Sequence, residues 1–132
     1  MSAANTELIT HILELLEGHC AASARRMFGG HGLFRDGLIF GIVLDETLYL
    51  KTDADNLGDF TDRGLKPFTY RRQKKFTSLS YYQAPAECLE EAETMIIWAD
   101  KSYAAALRAV RKKNQWGQTR LIYSLTSSNR RK

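Results

Sequence analysis

The chain has 132 residues, 44% hydrophobic and 26% charged, the size and make-up of one globular domain with its own core. No apolar run approaches the roughly 18 residues of a membrane span, and Met1 to Asn5 lacks the charged lead of a signal peptide. The net charge of +4 is unevenly placed. From Lys101 onward there are nine Lys/Arg and no acid, so the first hundred residues carry ten basic and fifteen acidic side chains. Such asymmetry points to a basic end that meets an anionic partner or keeps the chain soluble. Cys20 and Cys88 lie far apart and read as free thiols, so a reducing, cytoplasmic setting is expected.

Taken in order, Asn5 is placed to cap a helix in which Leu8, Ile9, Ile12, Leu13, Leu15 and Leu16 recur at three- and four-residue spacings. Gly18 suits its end. A strand is expected from Ala24 to Phe28, then a glycine-rich kink (Gly29-Gly30-His31-Gly32) leading into Leu33-Phe34-Arg35. Asp36-Gly37 predicts a type I′ hairpin turn, which needs positive φ at both central residues. Leu38 to Leu44 is almost continuously apolar and predicts the central strand, with Gly41 marking a bulge or a close backbone approach. Asp45-Glu46 turns the chain into Thr47-Leu48-Tyr49-Leu50-Lys51.

Asp53 is expected to cap a short helix that turns Leu57 and Phe60 inward and stops at Gly64. Residues 67–71 and 76–82 predict a second hairpin around the basic turn Arg72-Gln73-Lys74-Lys75. Pro85 is expected to open the last helix, with Glu87, Glu90 and Glu91 near its positive end. Leu89, Met95 or Ile96, Ala99, Tyr103, Leu107 and Val110 trace its buried stripe. Gly117 is expected to break it, so residues 1–113 form the domain and 114–132 a basic tail with a short apolar segment, 121–125. The order predicts an α+β fold in two layers: an antiparallel sheet with helices on one face, arranged as helix, three or four strands, helix, two strands, helix.

The run Met27-Phe28-Gly29-Gly30-His31-Gly32 resembles the N-terminal domain family of the bacterial competence regulator TfoX (Sxy). Asp36-Gly37, Phe40-Gly41, Leu48-Tyr49-Leu50-Lys51, Pro67-Phe68-Thr69-Tyr70, Ser80-Tyr81-Tyr82 with Pro85, and Trp98-Ala99 extend the likeness over residues 8–109. The resemblance implies a layout similar to type III secretion chaperones and a bacterial, cytoplasmic, non-enzymatic regulatory protein that forms a homodimer. The motif residues it singles out, read as structural, are Met27, Phe28, Gly29, Gly30, Gly32, Tyr49, Lys51, Phe68, Tyr70, Tyr81 and Pro85. In the full-length regulators a second, helical domain follows, and the pair promotes competence-gene transcription with the cyclic-AMP receptor protein. A stand-alone copy with a basic tail in that place is expected here.

No catalytic set, metal site or cofactor is expected. A phosphate loop needs a Lys-Ser/Thr and a following helix, whereas a strand follows these glycines, so a kink or bulge is favoured. His11, His19, His31, Cys20 and Cys88 show no metal-ligand spacing. Cys20 and Cys88, either of which could meet His31 in space, are the nucleophile candidates, Cys88 in a first helical turn where the dipole lowers a thiol pKa; inert thiols are the preferred reading of both. Strand aromatics read as cross-strand packing, and as a base-stacking platform only where they face outward beside Arg71, Arg72, Lys74 and Lys75. The expected function is a regulatory or adaptor domain acting on an unidentified protein partner through an uncovered sheet face or edge strand. The alternative is binding of nucleic acid or an acidic partner by Arg108, Arg111, Lys112, Lys113, Arg120, Arg130, Arg131 and Lys132.

Overall fold

Two tight turns set the register of the sheet. At Asp36 and Gly37 φ is +52° and +80°, and at Asp45 and Glu46 it is +52° and +60°, so both adopt the primed geometry that matches strand twist. The computed structural model describes residues 3–27, 29–72 and 75–126, with side chains described for 5–27, 29–69 and 80–112. Its elements are α1 (Ala3–Leu16), β1 (Ala22–Met27), β2 (Gly30–Arg35), β3 (Leu38–Leu44), β4 (Thr47–Lys51), α2 (Leu57–Thr61), β5 (Pro67–Arg72), β6 (Lys75–Gln83), a 3-10 turn (Ala86–Leu89) and α3 (Ala92–Thr126). The six strands form one antiparallel sheet in the order β1-β2-β3-β4-β6-β5. The α+β class and the antiparallel sheet agree with the sequence.

A bulge explains how the apolar β3 serves two faces. Leu33 pairs with Gly41 and Phe34 with Ile39, which leaves Phe40 as the extra residue. Phe40 and Gly41 therefore both turn to the helices, and alternation resumes with Val43 inward and Ile42 outward. Phe40, Val43, Leu33, Leu48 and Leu50 join Ile9, Ile12 and Leu16 of α1 and Met95 and Ala99 of α3 in the main core. Ile42, Phe68 and Tyr81 form a second, smaller cluster with Ile39, Leu44 and Tyr49 on the face away from the helices.

Several helix ends differ from the sequence expectation. α1 begins at Ala3, so Asn5 lies inside the first turn; its buried Oδ1 instead accepts the N–H of Glu46 at 2.6 Å and ties α1 to the β3–β4 turn. Asn56, not Asp53, precedes α2: Asn56 Oδ1 accepts the Asp53 N–H and its Nδ2 donates to the Lys51 carbonyl, leaving the Asp53 carboxylate for another partner. Pro85 opens the 3-10 turn rather than α3. α3 passes through Gly117 to Thr126, so Gly117 does not break it, and the position between 113 and 114 falls within a helix. A single glycine costs only about 1 kcal/mol in a helix interior, which flanking helix formers offset. The side of α3 closest to the sheet is made of small residues, Ala99, Ser102, Ala105 and Ala106, while Tyr103, Leu107 and Val110 are half-buried at its margin. Small side chains let the helix axis approach the strands. Among the described residues no helix is long and apolar enough to cross a membrane.

Candidate functional site

The glycine run is a packing device. A Cβ at Gly30 would strike the Val43 carbonyl oxygen, and one at Gly32 the Met27 sulfur. Their strand pairs with β1, Met27 with Gly30 and Arg25 with Gly32, and with β3, so the ladder and not a ligand takes the local amides. Phe28 lies outside the described residues.

Polar side chains cross-link the helical layer to the sheet. Asp100 on α3 accepts hydrogen bonds from His19 Nε2 at 2.9 and 3.0 Å and from Arg35 of β2 at 3.0 Å. The Arg35 guanidinium lies over the Tyr103 ring, 4.2 Å from its centroid, and the Tyr103 hydroxyl donates to Asp36 at 2.8 Å. That hydrogen bond, before burial and charge, raises the Tyr103 pKa. Cys20 stands near this cluster, but burial pushes its thiol up, with Arg35 opposing and Asp100 and Asp36 adding. An activated thiol needs a base in hydrogen-bond reach, and among the described residues none bonds Cys20. Cys88 is fully buried in the 3-10 turn, where burial first and then the Glu87 charge push its thiol up to about 12. The expectation that a helix dipole lowers it is therefore corrected: desolvation dominates, and a four-residue turn supplies little dipole. Among the described residues no three His, Cys, Asp or Glu gather as metal ligands.

A second set joins α2 to α3. Arg108 donates to both Asp53 oxygens at 2.6 and 2.9 Å and lies 3.2 Å from Asp55, while Lys101 reaches Asp59 at 3.0 Å. Asp55, Asn56, Asp59, Lys101, Ala104 and Arg108 line an open cleft of about 340 Å³. Its cations already face carboxylates, so the Arg108 charge is balanced within the body, whereas Arg111 and Lys112 are exposed. The side chains of Lys113 and Arg120, and residues Arg130, Arg131 and Lys132, lie outside the described residues.

The Arg108 hydrogen bond holds the Asp53 carboxyl below the usual carboxylate range. A depressed pKa gives stability that is full above the unfolded value, near 4, and is lost as pH falls through the folded one. Asp53→Asn should thus cost roughly 1 kcal/mol at neutral pH, the upper end for a partly exposed pair. In urea unfolding from neutral pH to about pH 3, the gap between variant and parent should close. A constant gap would contradict the assignment.

What the elements do with charge was missed when the chain was read by segment. Among the described residues, none of the fifteen Asp/Glu lies in a strand; the strands hold Arg25, Arg26, Arg35, Lys51, Arg71, Arg72 and Lys75. All the acids sit on helices, turns and links. Tallying charge by expected element, not by chain half, would have exposed this split. On the helix-free face Arg25 lies 4.2 Å over the Phe34 ring and Lys51 5.3 Å over Tyr81, and Tyr49 meets Phe68 edge-on at 4.9 Å. Met27, Gly32, Tyr49, Lys51, Phe68 and Tyr81, from distant parts of the chain, therefore share one face. Gly29 and Gly30 sit at its β1–β2 end, and Pro85 is buried beyond β6. The side chain of Tyr70 lies outside the described residues.

The sequence profile described as the TfoX N-terminal domain matches residues 14–106. The chain belongs to that family. The matched span runs from the last residues of α1 to the buried stretch of α3 and takes in the whole sheet. No curated protein matches the chain. The TfoX N-terminal domain is a regulatory type of domain family.

Proposed function

We propose that this TfoX N-terminal domain is a non-enzymatic regulatory adaptor that acts through protein contacts made by its helical layer. The separation of charge carries this reading. Glu7 and Glu14 of α1, Glu17 just after it, and Glu90, Glu91 and Glu93 around the start of α3 give the helical side an acidic, exposed rim, with Ile97 the one large hydrophobic exposed among the described residues, at 55%. Such a surface repels nucleic acid and suits a basic protein partner or a second copy's basic end. Two differently tagged full-length copies, co-expressed and purified through one tag, should bring down a stoichiometric protein, either the second copy or another chain. Recovery of the tagged chain alone would contradict the reading.

A second reading, nucleic-acid binding by the basic end, draws on the continuity of α3. Arg111, Lys112, Lys113 and Arg120 ride on one helix. The non-enzymatic part has its own check. Both thiols should react with a maleimide at neutral pH more slowly than a free cysteine, Cys88 only on unfolding. Labelling of native Cys20 faster than free cysteine would reopen thiol catalysis.

A further inference from the structure

We infer that the helix-free face of the sheet binds single-stranded nucleic acid, with Arg25 and Lys51 on phosphates and Tyr49 against a base. The first support is sign: among the described residues no acid lies in any strand, so this face offers a polyanion attraction without local competition. The second is preorganisation. Arg25 is stacked over Phe34 and Lys51 over Tyr81, and among the described residues neither has an ion-pair partner. A guanidinium over a ring face leaves N–H groups that no carboxylate occupies, and these can grip a phosphate.

The third support is spacing. Arg25 on β1 and Lys51 on β4 stand three strand positions and two residues apart, roughly 16 Å. A flexible strand of nucleotides can follow a twisted sheet across those positions, whereas a straight duplex touches such a surface along one line. Half-buried Tyr49, braced edge-on by Phe68, lies in register with Arg25 and two residues from Lys51, and supplies a ring for a base.

Fluorescence anisotropy of a labelled oligothymidylate with the full chain, in about 50 and 200 mM salt, tests the assignment. Arg25→Gln/Lys51→Gln should weaken binding about tenfold and make the salt dependence shallower by ~1.4 in log–log slope, two single-strand phosphate contacts. Arg25→Lys/Lys51→Arg should restore most of the affinity, and Arg111→Gln/Lys112→Gln should change it less than about twofold. Melting curves confirm that each variant is folded. The inference is overturned by absence of binding at low salt, by loss through the Arg111/Lys112 variant alone, by preference for duplex DNA, or by equal competition from polyglutamate, which would make an acidic protein segment the occupant. None of these outcomes touches the protein-contact reading, which concerns the opposite layer.

Discussion

Gly30→Ala is expected to destabilise the fold by about 3 kcal/mol, while Gly29→Ala, one residue away, is expected to cost about 1 kcal/mol. The two glycines differ in what a methyl group would meet. At Gly30 the obstacle is the carbonyl oxygen of Val43, with Leu44 Cδ1 at 2.9 Å behind it. That carbonyl belongs to the backbone of β3, opposite β2, so it can yield only if the two strands part and lose ladder hydrogen bonds. At Gly29 the added carbon would meet nothing within 4 Å, and the cost comes from a φ of +78°. Urea midpoints of the two variants separate these mechanisms. Equal losses would mean that the run is a flexible loop and not a packed crossing.

Phe60→Ala should have an effect of similar size, about 4 kcal/mol, or roughly 15 °C in melting temperature. Phe60 is 1% exposed, although it sits on a helix of five residues. Its ring meets Trp98 of α3 edge-on at 5.0 Å and Tyr82 of β6 at 6.0 Å, so it fastens α2 to both layers at once. Trp98 in turn lies under Arg63 and Lys101, which shield it from water. Removing the ring leaves a cavity bounded by aromatic groups that cannot collapse into it. Phe60→Leu, which keeps most of the volume, should cost well under half as much by thermal unfolding. A small loss from Phe60→Ala would show that α2 is only loosely attached.

Much of the fold was legible because local chemistry and tertiary structure agree. Asp36-Gly37 specified its turn, the apolar run of β3 specified a central strand, and Leu57 and Phe60 with Gly64 marked α2. The misreadings share a cause. Asn5, Asp53 and Pro85 are good helix starters in isolation, but each is claimed by a partner remote in sequence or by a neighbouring turn. Asn5 belongs to the β3–β4 turn, Asp53 to Arg108, and Pro85 to the 3-10 turn. Gly117 was given the weight of a stop when its penalty is within reach of its neighbours. The candidate site was less legible. Tyr49, Lys51, Phe68 and Tyr81 were visible as motif residues, yet only the strand order β4-β6-β5 puts them side by side. Arg25, which no motif marks, joins the same face through the β1–β2 pairing. Arg108, conversely, carries a charge that the sequence assigned to the basic end and the structure balances with Asp53 and Asp55.

We propose one domain with two working faces of opposite sign. It is tested most directly by a photo-crosslinking residue placed in the full chain in living cells, at Glu14 on the helical layer and at Ser23 on the helix-free side of β1. Both positions are exposed. A discrete protein adduct is expected from Glu14 and a nuclease-sensitive adduct from Ser23. Nucleic acid captured from Glu14, or protein adducts from Ser23 with none from Glu14, would contradict it.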